Sequence, residues 1–484
     1  MNREIKRISM VVLAMFVALM VSTSILQVFQ ADSLSADARN SRTLYDSYSA
    51  QRGPILVAGQ PIAQSVPSKD VYKFQRVYSN GPLYSSVTGF FPLDGAPTGL
   101  EGALNDKLTG SSNSQFFDRV NAILTGKNPQ GASVETTIDP VAQKAAYDAL
   151  GNYQGAVVLL EPKTGRILAM VSKPDYDPNT LATHDTAKVD AAYQALLAAP
   201  GDPLINRTIG GNMNPPGSTF KPVVSSTAFG TGNFTKDSQL PNPRSLTLPG
   251  TNTVIYNDTF TTCGPGATVS IATAQILSCN IPFAELGMEL GGATIKTQAE
   301  KFGFNKELSI PIKVEPSAYP VYTDPAQVAQ SAFGQLSDRA TPLQMAMVSA
   351  GIANNGVVMY PNLVDSIRSA DLTPIQTFTP TIFDTATTSE NAATVKQMMV
   401  DGVNHGVATN ARIDGVSVGG KTGTAQNGDG KPYSLWFTGF APADNPQFAV
   451  AVVVENGGGQ GQSGTGNSIA APIAKKVLEA VLKK

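Results

Sequence analysis

Pro215-Pro216-Gly217-Ser218-Thr219-Phe220-Lys221-Pro222 is the stretch around which the chain is organised. Its prolines and glycine make a loop, and the residues that follow open a helix. Residues three apart on a helix share a face, so the Ser218 hydroxyl and the Lys221 amine come within hydrogen-bond reach. A serine beside an amine base is the smallest unit of an activated nucleophile. So short a pattern arises by chance about once or twice in a chain of this length, yet no other lysine has a serine three residues before it. Taken alone, the stretch is equally well explained by Ser218 capping a surface helix that Lys221 decorates.

At 484 residues the chain exceeds one ordinary domain and implies more than one compact unit with linkers. The 35 basic and 37 acidic residues give a net charge of -2, with no long basic run beyond the N-terminus. That balance argues against nucleic acid as a partner. The histidines are His184 and His405 and the cysteines Cys263 and Cys279, too few ligands at suitable spacing for a zinc site. No metal and no cofactor is expected.

Arg3, Lys6 and Arg7 precede an uncharged run over residues 8–31, long enough to cross a bilayer as one helix. Positive charge on that flank places the N-terminus in the cytoplasm and everything after about residue 32 outside. A cleaved signal peptide competes, because Ser22, Thr23, Ser24 and Gln27 soften the far end; such peptides have a shorter apolar core and a small-x-small cleavage site, which is not evident. An exported chain can keep disulfides. A Cys263–Cys279 bridge would stabilise by roughly 3 kcal/mol; two buried free thiols are the alternative.

Residues 32 to about 50 read as a polar juxtamembrane stalk. Two short strands around Ala58-Gly59 follow, and the segments up to about residue 132 suggest a small module. The expected division is 1–31 cytoplasmic tail and anchor, 32–132 stalk and non-catalytic module, and 133–484 the unit carrying Ser218. That unit opens with Asp139-Pro140 as a helix start. An apolar hairpin over residues 155–171 comes next, then an irregular section over residues 173–213. Helical patterns cover residues 268–277, 281–290, 341–353 and 470–484, with strands at 415–424, 434–440 and 448–454. Strands at both ends with helices between imply an α+β domain.

A serine nucleophile also needs groups that bind substrate and stabilise an oxyanion. Ser278-Cys279-Asn280 and Lys421-Thr422-Gly423-Thr424 follow Ser218 in an order that can supply the binding part. Decoys exist. Lys163-Thr164-Gly165 sits in the turn of the first hairpin, Ser111-Ser112-Asn113 lies in the first module, and Ser389-Glu390-Asn391 precedes a helix like a cap. Ser278 is preferred because it stands at the junction of two helical patterns; the lesser alternative is that Ser278 and Asn280 merely satisfy loop backbone. Lys421 is a cation on a strand, with the Thr422 hydroxyl beside it, suited to a substrate carboxylate. Gly423 leaves room for a substrate strand alongside. The helix N-terminus at Ser218 favours developing negative charge, and a Lys221 amine kept neutral by burial and by the Lys421 charge can take the serine proton.

These three motifs form the S-x-x-K, S-x-N and K-T-G signature of penicillin-binding proteins and class A β-lactamases. Further segments carry the likeness: Thr137-Ile138-Asp139-Pro140-Val141-Ala142-Gln143, residues 155–172, Ala332-Phe333-Gly334-Gln335, Thr341-Pro342-Leu343-Gln344-Met345-Ala346 and Gly419-Gly420-Lys421-Thr422-Gly423-Thr424-Ala425-Gln426. Together they resemble the class B, monofunctional transpeptidase type of penicillin-binding protein. The resemblance implies an antiparallel five-stranded sheet flanked by helices, with a helical subdomain across the cleft. It implies that Ser218 attacks the D-Ala-D-Ala bond of a peptidoglycan stem peptide, that D-Ala leaves, and that the acyl group passes to an amine of a neighbouring stem. The Ser218 and Thr424 amides would form the oxyanion hole, Ser278 would relay a proton to the leaving amine, and Asn280 would hold the substrate amide. β-Lactams would acylate Ser218.

About a hundred residues between anchor and catalytic unit, one small domain's worth, leave no room for a glycosyltransferase. Glycan polymerisation would come from a membrane polymerase partner, and the resemblance implies work with division proteins in building the wall. A D,D-carboxypeptidase or β-lactam-hydrolysing enzyme would use the same site with water as acceptor. A β-lactam sensor or inactive scaffold would keep the fold without the reaction; the first needs cytoplasmic machinery that residues 1–7 do not supply, and the second would be expected to lose a motif residue.

Overall fold

The computed structural model describes residues 2–30, 50–112, 115, 125 and 130–483. The expected stalk falls almost wholly outside the described residues, as does Asn113. Helix α1 (Asn2–Ser24) continues into a π turn, and the segment Arg3–Gln27 is long and apolar enough to cross a membrane.

The first module contains β1 (Ile55–Val57), β2 (Gln60–Pro67), β3 (Phe74–Tyr78) and α2 (Gly81–Thr88). The turn between β1 and β2 is Ala58-Gly59, both left-handed at φ 49° and 74°. Strand β4 (Ser133–Thr136) leads to α3 (Pro140–Leu150), where the Asp139 carboxylate accepts from the amides of Val141 and Ala142. The hairpin is β5 (Gly155–Leu160) and β6 (Ile167–Lys173), with Gly165 of the decoy Lys163-Thr164-Gly165 left-handed in its turn. Helix α4 (Thr186–Ala198) occupies part of the section expected to be irregular. Only its Val189 is buried, so it has no apolar stripe for a periodicity argument to find.

Helices α5 (Lys221–Gly230), α6 (Ile271–Ile276), α7 (Asn280–Leu290) and α8 (Pro342–Ala353) follow. The helical pattern over 268–277 is cut short because Thr268–Ser270 pairs as a strand with Gln239–Pro241 and Ser270 caps α6. After β7 (Val364–Arg368) and β8 (Pro374–Thr377) comes α9 (Ser389–Asn404), capped by Thr388 rather than by Ser389. The chain ends in β9 (Gly419–Ala425), β10 (Ser434–Ala441), β11 (Phe448–Val454) and α10 (Ala471–Leu482). Strand β9 starts later than expected, because Ile413 and Val416 bridge across a tight turn.

Two sheets organise the fold. The five-stranded antiparallel sheet runs β9-β10-β11-β5-β6. Helix α8 packs against β11, β10 and β5, while α3 and α10 pack against the sheet and each other. Every residue of α8 is buried, as its apolar run on all sides requires. The second sheet runs β8-β7-β4-β1-β2-β3, so strands more than 200 residues apart in sequence share one ladder, with β1 and β4 parallel. The first module is therefore tied to the larger unit by main-chain hydrogen bonds.

Inside the first module Glu101 lies between two guanidinium groups, at 2.5 Å from Arg52 Nε and 2.6 Å from Arg76 Nε, with all three side chains buried. The Tyr78 hydroxyl donates to the same carboxylate at 3.3 Å. Breaking such a buried network leaves charges without partners. Glu101→Gln is expected to lower unfolding stability by about 3–5 kcal/mol. Hydrogen exchange over β1–β3 reads this directly, and unchanged protection would show that the network contributes nothing.

Candidate active site

Ser218 lies on a single 3-10 turn, Gly217–Phe220, that runs into α5. The backbone before it is fixed from two sides. The buried Trp436 indole of β10 donates to Pro215 O at 2.9 Å. Gly217, left-handed at φ 54°, donates its N–H to Gly334 O at 2.9 Å. A Cβ on Gly334, itself at φ 79°, would lie 2.1 Å from Gly217 O, so only glycine allows this approach. Behind the serine, Phe220 stacks on Tyr319 with centroids 5.2 Å apart.

Ser278 sits between α6 and α7 at φ 59°, a left-handed conformation that a serine holds only under outside constraint. The constraint is visible. Ser278 N–H donates to Gln275 O at 3.1 Å and Cys279 N–H to Ala274 O at 2.9 Å. Cys279 is disulfide-bonded to Cys263, with Cα atoms 5.8 Å apart. The Asn257 side chain accepts from the Asn280 and Ile281 amides at 2.9 and 3.1 Å, capping α7 from a different loop.

Strand β9 supplies the opposite wall. A Cβ on Gly423 would come 2.9 Å from Pro216 O and 3.1 Å from the Thr219 side chain. The missing side chain expected to admit a substrate strand is thus already needed by the protein, which brings β9 against the Ser218 turn.

The two motif lysines meet at Ser278. Lys221 Nζ donates to Ser278 O at 2.7 Å and to Asn280 Oδ1 at 2.9 Å. Lys421 Nζ donates to Ser278 Oγ at 2.6 Å and to Thr422 O at 3.0 Å. Both lysines are buried. Among the described residues no hydrogen bond joins Ser218 Oγ to Lys221 Nζ directly; the two lie one turn apart on the same segment. Burial holds the Lys221 amine well below its ordinary value, the Lys421 charge pushes the same way, and the Asp258 carboxylate opposes both. Burial brings Lys421 down to about 7, again against Asp258.

A neutral lysine amine has two N–H bonds and one lone pair. The two acceptors around Lys221 use both donors, which leaves the lone pair for Ser218. Asn280 is oriented in turn, its Nδ2 donating to Asp258 Oδ1 at 2.9 Å and to Tyr256 O at 3.2 Å. These bonds fix the amide so that its oxygen faces Lys221. They also engage both donors of the side chain expected to hold the substrate amide.

Ser218, Ser278, Thr422, Gly423 and Thr424 line one continuous cleft of about 710 Å³, which Asp258 also borders. The structure therefore brings together every motif residue expected on sequence grounds. It adds Asn257 and Asp258, which sequence reasoning missed. They follow a short strand, Val254–Tyr256, and their partners lie more than 20 residues on. The only local signal is a polar turn, Asn257-Asp258-Thr259.

Comparison with known proteins places this geometry. Residues 155–479 match the penicillin binding protein transpeptidase domain, and residues 52–134 match the penicillin binding protein A dimerisation domain. The chain is 41% identical over 493 residues to the peptidoglycan D,D-transpeptidase PbpA of Mycolicibacterium smegmatis, covering 100% of both. It is 40% identical to the protein of that name from Mycobacterium tuberculosis, covering 100% of this chain and 99% of the other. Among solved structures it resembles penicillin-binding protein A from M. tuberculosis in its ceftriaxone acyl-enzyme complex, with a TM-score of 0.87, 39% identity, and coverage of 90% of this chain and 100% of that one. The penicillin G acyl-enzyme complex of the same protein matches with a TM-score of 0.85 and 38% identity over the same coverage. With a transpeptidase-domain match over residues 155–479 and 41% identity to a curated relative along the whole chain, the chain belongs to the penicillin-binding protein transpeptidase family.

Proposed function

We propose that the chain is a peptidoglycan D,D-transpeptidase that forms an acyl-enzyme on Ser218 and is acylated there by β-lactams. One observation carries this reading: Ser218 and Ser278 share a cleft while their lysines lie buried behind them, with Lys221 bonded so that only its lone pair is left over. Lys221 takes the Ser218 proton as Oγ attacks the carbonyl of the penultimate D-Ala. The Ser218 and Thr424 amides receive the oxyanion. Ser278, held by Lys421, passes a proton to the departing D-Ala nitrogen, while Lys421, Thr422 and Thr424 hold the terminal carboxylate. Asn280 acts through Lys221, whose amine it orients. The amine of a second stem then takes the acyl group and frees Ser218. The Cys263–Cys279 bridge tethers the loop that carries Ser278 and Asn280.

The same reading assigns residues 1–31 to a cytoplasmic tail and membrane anchor, 32–132 to a stalk and non-catalytic module, and 133–484 to the transpeptidase unit outside the cell. It needs a membrane glycan polymerase to supply strands and places the enzyme with division proteins. The match of residues 52–134 to a dimerisation domain supports a non-catalytic role for that module.

Membranes carrying the full chain are expected to take up a fluorescent penicillin covalently, and Ser218→Ala to take up none; labelling that survives the substitution removes the acyl-enzyme reading. Release of D-Ala with incorporation of an added amine separates cross-linking from hydrolysis. The rate of β-lactam acylation against pH is expected to be bell-shaped. It rises as Lys221 loses its proton, well below the ordinary lysine range, and falls as Lys421 loses its own near pH 7. Asp258 raises both values, so Asp258→Asn is expected to move both limbs to lower pH. Limbs that stay in place would show that Asp258 does not govern the lysines.

A further inference from the structure

The cleft does not end at the reacting groups. Along β9 the Ser218 turn lies at Gly423 and Ala425, since a Cβ on Gly217 would meet Ala425 at 3.2 Å. The other end of the strand leads to Gly420, whose carbonyl lies 3.4 Å from a Cβ placed on Gly402 of α9. There the chain leaves α9, and Val407 N–H donates to Ile276 O at 3.3 Å, which sets Val407 beside Leu277. Val407, Leu277, Pro265 and the Cys263–Cys279 disulfide all line the same cleft as Ser218 and Thr422. Leu277 is 36% exposed, an apolar side chain left open in a cleft otherwise rich in hydroxyls. Across the gap, its Cδ1 lies 3.9 Å from a Cβ placed on Gly264. The cleft thus has a polar part at the reacting centre and an apolar part beyond Thr422.

The order of groups says which half of the reaction uses the apolar part. On the proposed function, on which this step rests, the carboxylate held at Lys421 and Thr422 belongs to the residue that leaves. The space beyond it is therefore on the leaving-group side of the acyl carbon. The incoming amine reverses the departure of the outgoing one, so it approaches from that side and meets the same proton relay at Ser278. In this step the amine nitrogen bonds to the acyl carbon as the carbon–Ser218 Oγ bond breaks, and one amine proton is returned to Oγ. A side-chain amine arrives on a run of methylene groups, which gain by leaving water for an apolar wall.

We infer that Leu277, Val407, Pro265 and the Cys263–Cys279 disulfide form the acceptor subsite, which receives the aliphatic chain that bears the attacking amine. The wall selects long aliphatic amines over short ones and over water.

The test partitions the acyl-enzyme. Full-length protein in detergent is acylated with a thiolester of an N-acyl-D-alanine, and the ratio of aminolysis to hydrolysis is read with D-lysine acetylated at its α-amine, so that only the side-chain amine can attack, and with glycine. Leu277→Ser and Val407→Ser are expected to lower the ratio with D-lysine about tenfold, the loss expected when roughly two methylene groups are no longer covered. The ratio with glycine and the rate of acylation by penicillin should stay within about twofold, which also shows that the variants are folded. A ratio with D-lysine that neither substitution changes, or one that falls equally with glycine, overturns the subsite. Wild-type acyl-enzyme that gives only hydrolysis with every amine overturns the transpeptidase reading instead.

Discussion

Two lysine amines taken out of water within one hydrogen-bond step of the same serine are the constraint on which the structure turns. An isolated ammonium in a protein interior is costly, and the usual remedies are a paired carboxylate or loss of the proton. Here neither amine has a carboxylate in contact among the described residues. Lys221 faces a carbonyl and an amide oxygen, and Lys421 faces a hydroxyl and a carbonyl. Uncharged acceptors favour the ammonium far less than a contacting carboxylate would, so burial moves the proton equilibrium. Catalytic usefulness thus follows from a deliberate shortage of negative charge.

Such a site works only if the acceptors cannot relax toward the amines or away from them. The five-stranded sheet delivers Lys421 from an interior register, paired with Thr438 of β10, whose hydroxyl is bonded to Met345 O of α8. Trp436 on the same strand reaches over to Pro215, so one strand fixes both the β9 wall of the cleft and the approach to Ser218. The left-handed Ser278 is held by α6, α7 and the disulfide. Gly334, Gly217 and Gly423 let three segments approach more closely than any side chain would allow. Rigidity around the serine comes from this close backbone contact together with the apolar core that buries Phe220, Tyr319 and Trp436 behind it.

The parts of this arrangement that were legible in the sequence are those whose partners are near in the chain. Ser218 and Lys221 lie on one turn, Lys421 to Thr424 form one strand, and Asp139 caps the next residues along. The resemblance to a known family then supplied the order of the motifs and the sheet. What stayed hidden depends on distant pairing. Asn257 and Asp258 matter only because Asn280 comes back to them, and β7 and β8 join the first module's sheet from beyond residue 360. Helix α4 escaped for a different reason. It buries almost nothing, so its stability rests on caps and propensity, which leave a faint periodic trace.

Asp258 marks the balance the site must strike. A carboxylate in direct contact with Lys221 would hold its proton and remove the base, since such contact favours the charged form by about one to three pKa units. With no carboxylate nearby, burial would strip Lys421 as well and leave nothing to attract a substrate's terminal carboxylate. Asp258 instead donates its charge at one remove, bonded to the amide of Asn280 rather than to either amine. It raises both lysines through space while its hydrogen bond orients the oxygen that faces Lys221. The difference between the two lysines then follows from position alone. Lys221 bears the added repulsion of Lys421, and Lys421, by contact with Ser278 and the β9 wall, is the one placed to meet an incoming anion. On the proposed function, a base and an anion anchor are thus obtained from the same residue type, side by side, by one carboxylate that touches neither.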